Sequence, residues 1–335
     1  EVLERANSRV VGRVVIEHGI TFVVPENRRI NQDILIAPDG GSMVGAGEVV
    51  TVEIIEQPNR HSKPIGRIVE VLGNYADPGM EIEIALRKHE LPFEFSASAL
   101  AEAAALPEAL DPRHWQGRAD LRALPLVTID GETARDFDDA VFAEQADAGW
   151  RLVVAIADVS HYVAPGTALD RESRARGNSV YFPRRVIPML PEKLSNGLCS
   201  LNPGVDRLAM VCDMEIDSHG EITAYRFYPA VFCSHARLTY DQVWSWLAGT
   251  AQVTNEAERA LLPRLQALYA LFKVLCEARS KRGAIDFETI ETVMLFNEHG
   301  KIENIVPLRR NDAHRLIEEC MLAANVCASD FLQRR

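Results

Sequence analysis

The sequence predicts an α+β protein in which a small closed β-barrel precedes a larger domain that mixes strands with helices. Three observations point there. Between residues 10 and 86 short β-branched runs alternate with turn residues. After residue 121, strand-like runs give way to long stretches of helical periodicity. The 335 residues, 47% of them hydrophobic, suffice for two cores.

The strand candidates of the first region are Val10 to Ile16, Thr21 to Val24, Asp33 to Ile36, Glu48 to Ile55 and Ile65 to Leu72. Glu81-Ile-Glu-Ile-Ala85 follows, which makes the strands five or six. So many short strands suit a closed barrel, because closure removes exposed edges. The leading candidate is an oligonucleotide-binding (OB) fold; a barrel used only as a spacer is the alternative, since a fold does not set a function. Ser96 to Leu106 reads as a helix stopped by Pro107, and Asp111-Pro112 continues a connector. The expected division is therefore 1–95 for the barrel, 96–120 for the connector and 121–335 for the second domain. That domain carries strands at Leu126 to Ile129, Arg151 to Ala157, Ala209 to Ile216 and Ile222 to Phe232. Its helices are Tyr240 to Leu247, Asn255 to Arg279, and Asn311 to Leu332. In the last, Leu316, Ile317, Cys320, Met321, Ala324 and Cys327 recur at helical spacing behind Asn311 or Asp312 as cap.

Composition narrows the function. Apolar runs such as Leu152 to Ala157 are far shorter than the ~20 residues of a membrane helix, so no membrane partner is expected. Glu1-Val-Leu-Glu-Arg5 has neither the basic nor the apolar region of a secretory signal, which leads to an expected cytoplasmic location. The six cysteines form no C-x-x-C pair and several sit in apolar surroundings, the pattern of buried free thiols. The net charge of −12 runs against nucleic-acid binding, which needs clustered cations. Clusters do occur, at Arg28-Arg29, Arg60 to Lys63, Arg87 to His89, Arg171 with Arg174 and Arg176, Arg184-Arg185 and Arg309-Arg310; each taken singly also fits a solvated surface.

The chemistry lies in Val127-Thr-Ile-Asp130-Gly-Glu-Thr-Ala-Arg-Asp136-Phe-Asp138-Asp139-Ala140. An apolar strand delivers Asp130, a loop opens at Gly131, and Asp136, Asp138 and Asp139 precede the next apolar run. Like charges this close either protonate in part or recruit a cation. Mg²⁺ suits them, because it takes hard oxygen ligands and leaves room for water and substrate phosphate. With two ions, one activates the attacking water while the other holds the leaving oxygen. An EF-hand fails, since counting from Asp136 puts Val141 at the sixth position and Asp147 at the twelfth. A solvated acidic loop of Asx turns is the remaining alternative; the strand end at Asp130 and the apolar Phe137 among the acids favour the metal site.

At these residues the chain resembles the RNase II/RNase R exoribonuclease family, its RNase R branch most closely. The likeness is carried by 127–140 and by Val154-Ala-Ile-Ala-Asp-Val-Ser-His161, Asn178-Ser-Val-Tyr-Phe-Pro183, Ile187 to Pro203 and Arg310-Asn-Asp-Ala-His-Arg-Leu-Ile-Glu-Glu-Cys-Met321. His18-Gly-Ile-Thr-Phe-Val-Val-Pro25 is similar to the cold-shock signature, with Phe22 as its aromatic and Ile20 where that pattern usually has another. The resemblance implies an RNB-type catalytic domain after a cold-shock-like barrel. It also implies processive 3′-to-5′ hydrolysis of single-stranded RNA to nucleoside 5′-monophosphates with Mg²⁺. On the matching positions, Asp130 and Asp139 would hold metal, Asp136 would support metal or water, and Asp138 would be the acid most critical to the chemical step. Tyr181 would clamp the 3′-terminal base and Tyr240 would contact a terminal nucleotide. Glu318 or Glu319, with Glu318 preferred, would contact the ribose, where a 2′-hydroxyl distinguishes RNA. Asp158 and His161 match a family string but are read as structural. The family draws a further arginine from a later part of the catalytic domain. A sequence ending at Arg335 is thus expected to be a fragment truncated at its C-terminus, weak or inactive alone. It would be a monomer when complete, or a second chain would complete the domain. Two other classes compete: a non-catalytic RNA-binding protein on the same fold, and a metal phosphoesterase for small molecules that would not need Tyr181.

Overall fold

The computed structural model describes residues 8–37, 44–59, 61–285, 291–298 and 300–334. Arg60 of one basic cluster and the first five residues lie outside them. The described residues separate into two compact units: the chain up to Phe95 with Tyr181–Ile187 and Met294–Ile305, and the remainder. No described helix is long and apolar enough to cross a membrane.

The first unit is built on a closed barrel of β1 (Arg9–Glu17), β2 (Ile20–Pro25), β3 (Ile34–Ile36), β4 (Glu48–Glu56) and β5 (Ile65–Asn74), in the order β1-β2-β3-β5-β4 with β4 returning to β1. Alternate residues point inward, and Val10, Val14, Val23, Ile34, Val50, Val52 and Ile68 fill the barrel. Gly12 and Gly66 let strands approach: a Cβ at Gly12 would meet the Val24 carbonyl, and one at Gly66 the Val52 side chain. Phe22 is half-buried and Ile20 exposed.

The expected sixth strand is a helix, α1 (Met80–Lys88). Glu81 to Ala85 alternates at period two, but Gly79, at φ 86°, turns the chain and Met80 and Ile84 share a helical face that packs with Val11 and Val49. Glu81 and Glu83 in the first turn and Arg87 and Lys88 in the last complement the helix dipole. Burial on the barrel overrode a strand-like pattern.

In the second unit Ser96 caps α2 (Ala97–Ala105), and Leu106 before Pro107 is extended, ending the helix as anticipated. A seven-stranded sheet follows. Its strands are β6 (Ala119–Asp120), β7 (Val127–Asp130), β8 (Asp139–Ala146), β9 (Gly149–Ala157), β12 (Asp206–Asp217), β13 (Ile222–Cys233) and β14 (Ala236–Thr239), in the order β14-β7-β8-β9-β12-β13-β6. The interior pairs are antiparallel and the pairs at both edges parallel. Between β9 and β12 lie α3 (Ala168–Arg176), the hairpin β10 (Val180–Phe182) and β11 (Arg185–Ile187), and one π-helical turn at Lys193–Leu198. After β14 come α4 (Tyr240–Leu247), α5 (Glu256–Lys281), the hairpin β15 (Thr292–Phe296) and β16 (Ile302–Pro307), and α6 (Asp312–Gln333).

Strand alternation gives the sheet two apolar faces. Val127, Ile129, Val141, Val154 and Met214 pack against α4, α5 and α6. Phe142, Val153, Ala155 and Val211 face α2, α3 and the π-helical turn. Sheet and helices thus make three layers, with a core on each side. Cys199, Cys212, Cys320 and Cys327 are buried, Cys233 and Cys276 are partly buried, and these six are in no disulfide.

Candidate active site

Two parallel neighbours set the site. β7 and β14 pair with Asp130 opposite Thr239, so the residue after each strand emerges at the same edge of the sheet. Thr239 and Gln242 form a capping box that starts α4 at once, which places Tyr240 in its first turn. The Tyr240 hydroxyl faces the Asp130 carboxylate closely enough that each group shifts the other's pKa.

Between β7 and β8 the loop is fixed mainly through its backbone. The Gly131 amide donates to Asp130 Oδ1 at 2.6 Å. The buried Ser200 hydroxyl accepts from the Phe137 amide at 3.0 Å and donates to the Arg135 carbonyl at 2.9 Å. The Leu201 amide donates to the Phe137 carbonyl and the Ala157 amide to that of Asp138, at 2.8 and 2.9 Å. Phe137 itself is buried in the core, so an apolar anchor inside the acidic run turns its flanking aspartates outward. From β14 Arg237 donates to the carbonyls of Glu132 and Ala134, at 2.7 and 3.2 Å, and lies over the Phe137 ring. Neither Ser200 nor Arg237 stands out in the sequence: strand alternation marks Arg237 as outward, and nothing local reveals its reach to a distant loop.

Electrostatics couples the acids. Burial, then Asp136 and Asp130, push the Asp138 carboxyl up to about 6; the residue is open to solvent, yet its surroundings crowd the carboxyl. Burial, Asp130 and Asp138 push Asp139 up to about 6 as well. Asp130 is raised by burial and Asp136, against the opposing pull of the Gly131 amide, Tyr240 and Arg237. The Tyr240 phenol is raised by burial and by Asp130, Asp139 and Glu318. Asp130, Asp136, Asp138, Asp139, Tyr240 and Glu318 therefore form one coupled neighbourhood.

A recess beside Tyr240 is lined by Arg310, His314, Ile317, Glu318 and Met321 of the α6 region, with Glu291 and Leu308. Glu318 is exposed there and pairs with Arg310. Glu319, one residue on, is buried and pairs with Arg279 of α5 at 3.0 Å. Tyr181 belongs to the first unit: it is 64% exposed on the β10–β11 hairpin, where Arg185 pairs with Glu83 of α1. Asp158 is buried, bonded to Ser160 at 2.6 Å and to Arg118 at 2.7 Å.

Do these residues suit a metal ion? Asp139 Oδ2 is buried without a hydrogen-bond partner, an orphaned acceptor that ordinarily costs about 1–3 kcal/mol. The surrounding donors are hard carboxylate oxygens whose mutual repulsion a cation would relieve. Among the described residues no three His, Cys, Asp or Glu side chains converge as a ready cage. That is compatible with Mg²⁺, which binds through one or two carboxylates and completes its shell with water and substrate phosphate. The donor set fits Mg²⁺ on those terms.

Comparison with known proteins extends the geometry. Residues 118–335 match the RNB domain and residues 22–96 the cold shock domain. Ribonuclease R of Vibrio cholerae is 52% identical over 334 residues, 99% of this chain and 41% of the relative. Ribonuclease R of Escherichia coli K12 is 53% identical with the same coverage. The chain thus spans about two fifths of the length of these curated relatives. Mycoplasma genitalium RNase R, solved in complex with double-stranded RNA, superposes with a TM-score of 0.94 at 31% identity, covering 100% of this chain and 59% of that one. Yeast Ssd1, a pseudonuclease, shares the fold at a TM-score of 0.70 and 17% identity, covering 95% of this chain and 40% of its own.

Proposed function

The chain belongs to the RNB-domain family, and from that premise we propose that it carries the metal-binding centre of a processive 3′-to-5′ exoribonuclease. The enzyme would hydrolyse single-stranded RNA to nucleoside 5′-monophosphates. RNA as substrate is supported by the M. genitalium RNase R structures with double-stranded RNA and with ribose-methylated single-stranded RNA. Because a pseudonuclease shares the fold, activity must be argued from the site. The observation that carries it is the coupled carboxylate cluster, with Asp138 and Asp139 raised to about 6 and Asp139 Oδ2 buried and unbonded.

In this reading Mg²⁺ sits among Asp130, Asp136, Asp138 and Asp139, bound directly through one or two of these carboxylates and through water by the others. When bound, the ion would supply charge for the phosphate oxygens and an acidified water for attack on phosphorus. Asp130 is oriented by the Gly131 amide and faced by Tyr240, and Asp138 is the acid most critical to the chemical step, with Asp136 supporting metal or water. Tyr181 stacks on a base near the 3′ end, which tolerates any sequence. Tyr240 and Glu318 take the terminal nucleotide, with Glu318 favoured over Glu319 because it faces the recess while Glu319 is committed to Arg279. The protein would act in the cytoplasm, as a monomer in its full-length form or with a second chain completing the domain.

The test is Asp138→Asn in the full-length protein with 3′-ended single-stranded RNA and Mg²⁺. Turnover should fall by about three orders of magnitude, since metal-assisted charge stabilisation is worth several kcal/mol, while RNA affinity in EDTA stays near wild type. Unchanged turnover would end the proposal.

A further inference from the structure

The α4 and α6 N-termini are clasped where the recess meets the carboxylates. His314 sits at the third position of α6, its ring stacked on Tyr240 with centroids 4.0 Å apart and planes at 21°. Its Nδ1 completes the capping box of α6 with Asn311, at 3.3 Å from the Asn311 amide. The Asn311 side-chain amide donates to Asp241 Oδ1 of α4 at 2.8 Å. Tyr240 is therefore confined on two sides: its hydroxyl faces the Asp130 carboxylate, and its ring face lies on His314. A phenol whose hydroxyl only faces a charged group still turns about its χ angles; a stacked ring on its face removes that freedom.

We propose that His314 is a positioning residue that fixes the Tyr240 ring for the terminal nucleotide, acting through its ring face rather than its nitrogens. This rests on the reading of Tyr240 and Glu318 as terminal-nucleotide contacts. The two roles open to His314 predict opposite orders of substitution. If it serves only to cap α6, His314→Gln is the milder change, because Gln at this position keeps a capping box. If it positions Tyr240, His314→Phe is the milder change, because it keeps a ring on the phenol and gives up only the cap.

The measurement is the affinity of the full-length protein in EDTA for oligoadenylate ending in a 3′-hydroxyl, by fluorescence anisotropy, against the same oligomer ending in a 3′-phosphate. An aromatic pair is worth enough that losing it costs about fivefold in binding. His314→Gln should show that loss on the 3′-hydroxyl oligomer, and His314→Phe a smaller one. Carbon-13 tyrosine spectra supply a second readout independent of RNA: the ring-current shift of Tyr240, assigned with Tyr240→Phe, should persist in His314→Phe and vanish in His314→Gln. A His314→Gln protein that binds as well as or better than His314→Phe, or that keeps the shift, overturns the inference alone. A wild-type protein indifferent to the 3′ end overturns the functional reading and the inference with it.

Discussion

At Asp139 the fold places a carboxylate where water reaches it poorly and where Asp130 and Asp138 add negative charge. Its pKa in the folded chain, about 6, lies above the ordinary 3.8, as does that of Asp138. Such groups favour the folded state fully below the ordinary value, and that contribution disappears as pH rises through about 6. In EDTA the melting temperature should thus decline between about pH 4 and pH 7 on their account, and Mg²⁺ should raise it more at pH 8 than at pH 5, where protons compete for the same oxygens. Asp139→Asn should melt higher than wild type in EDTA at pH 8 and respond little to Mg²⁺; a lower melting temperature there would contradict a destabilising ionised Asp139. Arg237 makes the complementary case. Removing it as Arg237→Met frees two loop carbonyls and the positive charge that offsets Asp130. Turnover of the full-length protein should drop about tenfold, a loss of roughly 1.4 kcal/mol from bonds of this class. Arg237→Lys should rescue poorly, since one ammonium cannot span both carbonyls and cover the Phe137 ring.

Between elements, α2 and α3 cap each other. Glu102 of α2 accepts from the amides of Ala168 and Leu169 at the start of α3, both at 2.9 Å. Glu172 of α3 accepts from the Ser96 amide at 3.1 Å and from its hydroxyl at 2.6 Å, at the start of α2. The two amides hold Glu102 below its ordinary 4.5. Against the upward push of burial, Ser96 and Arg176 hold Glu172 low too. A depressed acid stabilises the fold above its unfolded value and loses that effect as pH falls through the folded one. The double variant Glu102→Gln, Glu172→Gln should therefore melt lower than wild type at pH 7 and converge with it below about pH 4; a constant gap down to acid pH would exclude the caps as its source. The elements themselves were legible where periodicity and caps agreed, as in α4, α5 and α6. Glu81 to Ala85 misled because its alternation of charge and isoleucine satisfies a strand as well as an amphipathic turn, and only the barrel surface beneath it chose. β14 is four residues long and its pattern alone is too short to read.

For the molecule as a whole, a net charge of −12 would have to coexist with the proposed binding of a polyanion. Local cations would then carry the contact, and affinity for single-stranded RNA should fall with salt at a log–log slope of about −0.7 per neutralised phosphate; a salt-independent affinity would exclude phosphate contacts as its source. Tyr181 belongs to the first unit although the motif that contains it follows the carboxylates in sequence. Tyr181→Ala should weaken RNA binding by about tenfold, within the roughly 1–3 kcal/mol of base stacking, and leave the Mg²⁺ response of melting unaltered.

Sequence alone determined what neighbours along the chain encode: the barrel's strands, the long helices with their caps, and four aspartates spaced around an apolar strand end. Those features live in relations of two to four residues, which any local reading can follow. Tertiary structure alone decided that Tyr240 meets Asp130, that Glu318 faces the recess while Glu319 turns to Arg279, and that Arg237 and Ser200 hold the acidic loop. The reason is strand order and helix packing: pairing β14 beside β7 joins residues far apart in sequence, and no short window contains that pairing.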